Sequence, residues 1–130
     1  MTSKPNKPIM LFDCKTSQNI IGQDKFLKAF ENILNHGAYC QGPETKELDE
    51  KLAAYSGVKY CSTCGSGTDA LTLALMAWGV KEGDAVFVSS FTFVASAEAP
   101  VLLGATPIFV DSDPDTYNMD PKDLQRAIDQ

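Results

Sequence analysis

The sequence predicts an α/β fold with a parallel sheet, and three observations carry that reading. From residue 58 onward, short apolar runs alternate with stretches of helical spacing, in the order strand, helix, strand, helix, strand, helix. A glycine-rich turn, Gly65-Ser66-Gly67, joins the first of these runs to a densely apolar helix. The run from Ala85 to Ser90 is apolar almost without interruption, as in strands of a parallel sheet covered on both faces. With 130 residues and 44% hydrophobic composition, the chain can form a core, which excludes a disordered polypeptide.

Residues 1–22, rich in Lys, Pro and Asn, read as an extended leader, and 23–130 as one incomplete domain. Gln23 to His36 has helical spacing, with Phe26, Phe30, Ile33 and Leu34 on one face, and Gly37 ends it. Pro43 suits a first helical position, with Glu44 and Glu47 near the positive end of the dipole. Leu48, Leu52 and Tyr55 form that helix's expected buried stripe, and Gly57 stops it. Val58 to Thr63 reads as a strand. The helix from Thr68 or Asp69 to Trp78 is apolar on nearly all sides, which predicts an interior helix. Phe93 to Leu103 is a further helix closed by Gly104, and Pro107 to Asp111 a third strand. Asp120 caps the last helix, with Pro121 at its first position. That helix has no C-cap signal before Gln130, so the reading expects the opening portion of a larger domain.

Eleven basic against 17 acidic residues give a net charge of −6, which disfavours generic binding to nucleic acid or anionic membranes. The polar start predicts no signal peptide, and the longest near-apolar run, Ala70 to Val80, is about half a membrane span. A cytoplasmic location is expected, with Cys14, Cys40, Cys61 and Cys64 as reduced thiols.

The strongest chemical signal is Gly65-Ser66-Gly67-Thr68-Asp69-Ala70. Glycines admit close approach of a ligand to the backbone, and the first amides of the following helix point outward without partners. Such a turn suits a phosphate, with the Thr68 hydroxyl as an added donor. The string also fits a dinucleotide fingerprint, but that motif expects an acid at the end of the next strand. Ser89-Ser90-Phe91-Thr92-Phe93 stands there instead, and aromatics suit a stacked flat ring. Cys61-Ser62-Thr63-Cys64 lacks a second pair for zinc, so these thiols read as buried or incidental. Asp111-Ser112-Asp113-Pro114-Asp115 lacks the glycine and the distal glutamate of a calcium loop and reads as a strand end and turn. No metal site is expected. His36, the sole histidine, suits the C-terminal end of a helix dipole.

Gly42-Pro43-Glu44, Cys64 to Leu71, Val80 to Asp84, Ser90 to Ala95, Leu103 to Pro107 and Val110 to Pro114 follow one another in a familiar order. Together they resemble the DegT family of pyridoxal-phosphate-dependent nucleotide-sugar aminotransferases. The resemblance implies part of the parallel sheet of the aspartate-aminotransferase (PLP fold type I) large domain. It implies pyridoxal 5'-phosphate as cofactor, with Ser66, Gly67 and Thr68 at its phosphate and Phe93 stacked on its ring. Tyr39 and Gln41 lie in a region that borders the sugar site in relatives. No catalytic residue is carried over: the family's cofactor-linked lysine and its ring-nitrogen aspartate come from later segments, and neither Lys59 nor Lys81 sits in the matching motif. The substrates implied are a keto nucleotide sugar and an amino-acid donor, glutamate, in a homodimer serving surface-polysaccharide or antibiotic-sugar biosynthesis. The runs 91–98 and 117–121 are most similar to enzymes acting on a UDP-3-keto-uronic acid.

In that fold the second and third strands are neighbours, and 58–63 would pair with strands absent from residues 1–130. The isolated 130-residue chain is therefore expected to be marginal or aggregation-prone. Two other readings stand beside the first: a small nucleotide- or dinucleotide-binding module, and a non-catalytic partner of a full-length homologue.

Overall fold

The computed structural model describes residues 10–130. They form two compact units that divide between Cys61 and Ser62.

The first unit holds three helices: α1 (Cys14–Ile21), α2 (Gln23–His36) and α3 (Pro43–Ser56). Helix α1 corrects the expectation of an extended leader over its residues; the leader's residues 1–9 lie outside the described residues. Its cause is local. Asp13 accepts hydrogen bonds from the Thr16 amide at 3.0 Å and the Thr16 hydroxyl at 2.6 Å, which caps the first turn. Gly22, at φ 100°, separates α1 from α2. Helices α2 and α3 run where the spacing placed them, and Gly37 and Gly57 end them in left-handed backbone. Their apolar stripes are less covered than expected. Phe30 is 61% and Tyr55 90% exposed, Ile33 is half-buried, and Ala53 is the one buried residue of the three helices.

The second unit begins with helix α4 (Gly67–Ala77) and continues through strand β1 (Ala85–Ser89), helix α5 (Ala95–Leu102), strand β2 (Thr106–Val110) and helix α6 (Pro121–Ile128). The two strands pair in parallel, with Ala85 opposite Thr106 and Ser89 opposite Val110. Since parallel strands need a long connection, α5 serves as the crossover of a β–α–β unit. The ladder extends at both ends: the Thr106 amide donates to the Asp84 carbonyl at 2.9 Å, and the Ser90 amide to the Val110 carbonyl at 2.8 Å. The core sits between this pair and α5, and consists of Val88, Ala95, Ala99, Pro100, Ala105 and Val110.

Three expectations are corrected here. Residues 58–63 form no strand, because a strand exists only through ladder bonds, and the one ladder among the described residues is that of the two strands above. Strand β1 is buried at Val88 alone, so neither face is fully covered. Helix α4 has no buried residue, although its mean composition is that of an interior helix; it packs against α5 and leaves its other sides open.

Two outcomes follow from this packing. With six hydrophobic or proline side chains at the core and more than twice as many large apolar ones exposed, the 130-residue chain alone should bind a hydrophobic dye such as ANS and melt over a broad range. A sharp, cooperative calorimetric transition without dye binding would contradict this. Gly104 stands at φ +77°, where an added β-carbon would come within 3.2 Å of the Glu82 β-carbon. Gly104→Ala should therefore lower stability by about 1–2 kcal/mol in denaturant titration.

Candidate functional site

The ends of β1 and β2 and the start of α4 carry the chemistry of the second unit. Ser66 enters α4 in extended backbone, at φ −155°, and its hydroxyl oxygen accepts the Asp69 amide at 3.1 Å. The Ala70 amide makes the first turn's bond to the Ser66 carbonyl at 3.1 Å. The amides of Gly67 and Thr68 precede that bond and have no acceptor inside the helix. They are the donors such a terminus offers to an anion.

Gly67, Thr68 and Phe93 line one cavity of about 400 Å³, together with Leu71, Ala95 and Ser96. Three of the four residues expected at the cofactor thus meet in one place, and the fourth, Ser66, caps the helix beneath it. Phe93 is 76% exposed, so its ring is available to a ligand rather than consumed by the core. A β-carbon built on Gly67 meets no protein atom within 4 Å, which leaves the space over its backbone open. No residue lining the cavity is charged. Ser96 was not anticipated. It opens α5, its amide bonds to the Phe93 carbonyl at 3.0 Å, and its hydroxyl pairs with that of Thr92 at 2.9 Å. The sequence signal for it was Thr92 four residues ahead of a helical Ser96.

Tyr39 and Gln41 lie in the first unit, on the loop between α2 and α3. The His36 ring holds that loop at both ends: Nδ1 accepts the Ala38 amide at 3.0 Å, and Nε2 donates to Glu44 at 3.0 Å. The hydrogen bond from His36 is the main cause that keeps the Glu44 carboxyl below its ordinary pKa. His36 is thus a loop clamp as well as a helix-end residue. Gln41 adopts φ 55°, and Tyr39 is 69% exposed. Gly42 must be glycine, since a β-carbon there would lie 2.5 Å from the Ala38 carbonyl oxygen.

The four cysteines are free: Cys14, Cys40 and Cys64 are exposed and Cys61 is intermediate, so of the two readings of Cys61 and Cys64, buried or incidental, the second holds. The Cys64 thiol donates to the Ser66 carbonyl at 3.2 Å, ahead of the helix. Among the described residues no cluster of three or more candidate ligands could hold a metal.

Residues 111–115, expected as a strand end and a turn, follow the end of β2 at Val110 and belong to a turn that runs to Met119. Asp113 Oδ1 accepts the amides of Asp115 and Thr116, at 3.0 and 2.8 Å, and the Thr116 hydroxyl at 3.1 Å. Ser112 and Met119 close it with an antiparallel bridge. The Asp111 amide donates to Asp123 Oδ2 at 2.7 Å, and Asp123 also pairs with Arg126, which ties α6 to the end of β2.

A parallel strand pair, with a helix terminus and an aromatic ring at one cavity, places this chain among α/β proteins, in which ligand sites commonly lie beyond the sheet's carboxyl edge. The comparisons narrow the class. The sequence profile of the DegT/DnrJ/EryC1/StrS aminotransferase family matches residues 21–130, and the chain belongs to that family. It is 48% identical over 120 residues to the UDP-2-acetamido-2-deoxy-3-oxo-D-glucuronate aminotransferase of Pseudomonas aeruginosa, covering 92% of this chain and 33% of that relative. A DegT DnrJ EryC1 StrS aminotransferase from Brucella abortus superposes with TM-score 0.81 at 42% identity, over 91% of this chain and 31% of that one. NtdA from Bacillus subtilis, solved with bound cofactor PMP, superposes with TM-score 0.75 at 28% identity, over 95% of this chain and 29% of that one. The chain therefore spans about a third of the length of these relatives. Its fold is part of the α/β large domain of the PLP fold type I aminotransferases.

The turn beside the site titrates. Hydrogen bonds from the Thr116 and Asp115 amides, then from the Thr116 hydroxyl, hold the Asp113 carboxyl below its ordinary value of 3.8. Lowering the folded pKa favours the carboxylate in the folded state. The turn's contribution is therefore complete above the unfolded value and is lost as pH falls through the lower, folded one. A carboxyl-carbon NMR titration should give Asp113 a midpoint below that of an aspartate in an unstructured peptide. An equal or higher midpoint would show that the turn does not hold in solution.

Proposed function

We propose that this chain supplies the phosphate- and ring-binding part of a pyridoxal-phosphate-dependent aminotransferase that aminates a keto nucleotide sugar. The observation that carries the reading is the meeting of Gly67, Thr68 and Phe93 at one cavity. Its donor set fits the cofactor: two helix-terminal amides and a hydroxyl for a phosphate, and an exposed ring for a pyridine. The PMP bound to NtdA supports that choice of ligand.

In this reading the Gly67 and Thr68 amides and the Thr68 hydroxyl donate to the phosphate oxygens. Ser66 holds the helix terminus in place through the Asp69 amide. Phe93 covers one face of the ring and keeps water from it. The cofactor, when bound, supplies the electron sink for moving an amino group. The lysine and aspartate that work with it lie outside residues 1–130, so the 130-residue chain alone has no transaminase activity. The substrate is a UDP-linked 3-keto uronic acid, a choice supported by the printed activity of the Pseudomonas relative. Glutamate is the amino donor, the assembled enzyme is a cytoplasmic homodimer, and its product serves surface-polysaccharide synthesis. Tyr39 and Gln41 contribute to the sugar site.

Titration of the full gene product with pyridoxal phosphate, followed by absorbance, tests the site. Thr68→Ala should weaken binding by about tenfold or more through loss of a charge-assisted hydrogen bond. Phe93→Ala should weaken it by roughly threefold to tenfold through loss of the ring contact. If neither substitution changes the affinity, the cofactor is not held here.

A further inference from the structure

We propose that Tyr117 is a positioning residue whose ring braces Phe91 and thereby sets where Phe93 stands at the cavity. The proposal rests on the reading of Phe93 as a ring-stacking residue.

Tyr117 has φ +59°, in the left-handed region that a tyrosine seldom enters. Its surroundings impose that conformation. The Tyr117 amide donates to the Asp113 carbonyl at 2.8 Å, and the Asp113 amide donates to the Asn118 carbonyl at 2.8 Å. Glycine would occupy the position without strain, so a tyrosine there directs attention to its side chain. That ring meets Phe91 with centroids 5.7 Å apart and planes tilted by 42°. Phe91 and Tyr117 are 70% and 64% exposed, so the pair is not core packing.

Phe91 belongs to a segment held at successive residues. The Ser90 amide is bonded to the end of β2, and the Ser90 hydroxyl donates to Asp111 at 3.3 Å. The Thr92 hydroxyl pairs with Ser96, and the Phe93 carbonyl accepts the Ser96 amide. The aromatic contact with Tyr117 is the side-chain anchor at position 91. Its loss leaves position 91 without that anchor, between hydrogen bonds that remain at Ser90 and Thr92, and the Phe93 ring two residues on shifts as a result.

The test uses the full gene product with ring-labelled phenylalanine, the Phe93 signals being assigned through Phe93→Leu. Tyr117→Gly keeps the left-handed backbone and removes the ring, whereas Tyr117→Phe keeps the ring. Tyr117→Gly should leave the melting temperature unchanged or higher and move the Phe93 ring shifts at least halfway to their unfolded values. Tyr117→Phe should reproduce the parent. Tyr117→Gly should also weaken pyridoxal phosphate binding roughly threefold to tenfold, with little further effect when Phe93 is already alanine. Unchanged Phe93 shifts in folded Tyr117→Gly would overturn the proposal, as would a loss in Tyr117→Phe equal to that in Tyr117→Gly. Should Tyr117→Gly not fold, Phe91→Leu removes the same contact from the other side, and unchanged Phe93 shifts there would overturn it equally. Failure of the parent protein to bind pyridoxal phosphate would overturn the cofactor reading instead, while the ring shifts would still decide the role of Tyr117.

Discussion

Parallel strands cannot be joined by a tight turn, so the pairing of β1 with β2 requires a crossover, and α5 provides it. This pairing organises the second unit. It sets Ser89 beside Val110, so both strands end at the same level. The segments that follow, 90–94 and 111–120, therefore leave the sheet side by side. Ser90 reaches Asp111, the Ser89 hydroxyl meets that of Ser112 at 2.9 Å, and Phe91 meets Tyr117. A register slip of one residue would separate all three contacts and turn Val88 and Val110 away from α5. The few buried residues of the chain thus determine where its exposed aromatic rings stand.

Helix α4 depends on the same unit in a different way. It packs on α5, and α5 begins with the residues that hold Phe93. The cavity is consequently bounded by two helix starts: Gly67 and Thr68 on α4, Ala95 and Ser96 on α5. The second terminus is already engaged, since the Phe93 carbonyl takes the Ser96 amide and the Val94 carbonyl takes those of Ala97 and Glu98. The first two amides of α4, those of Gly67 and Thr68, have no acceptor inside the helix. One helix start is closed and anchors a ring, and the other is open.

Local signals were legible in the sequence wherever a residue acts on its near neighbours. Gly37, Gly57, and Asp120 with Pro121 each mark a boundary that the structure confirms, because caps and left-handed glycines are set within a few residues. Helix α4 starts earlier than the expected Thr68 or Asp69, because Ser66 is its cap. The capped turn at Asp13 and Thr16 was of the same kind, but the composition of the leader masked it. Burial was not legible in that way. The apolar faces of α3 and α4 and the run 58–63 are patterned for burial, yet Tyr55, Leu73, Met76 and Tyr60 are exposed, so pattern and exposure disagree there. At the site, Gly67, Thr68 and Phe93 were readable as donors and an aromatic. Tyr117 was not, because its strain and its contact with Phe91 arise only after the strands pair.

Electrostatics sharpens what the cavity must do. The chain carries a net charge of −6, and Asp69 stands in the first turn of α4. Both oppose a phosphate, and no lysine or arginine lines the cavity to offset them. The net charge is spread over the surface and is screened beyond about 8–10 Å at physiological salt, so it acts weakly at any one point. Asp69 does not line the cavity, and its amide is bonded to Ser66, which fixes the cap. What remains for an anion is short-range: two fixed amides and a hydroxyl, whose dipoles need no rearrangement on binding. Such donors discriminate by geometry rather than by charge, and their strength falls off within the first turn. A ligand held only by its phosphate would therefore be held loosely. In the proposed function a ring contact from Phe93 would supply the second half of the binding, which is why the position of one exposed phenylalanine would matter to the whole site.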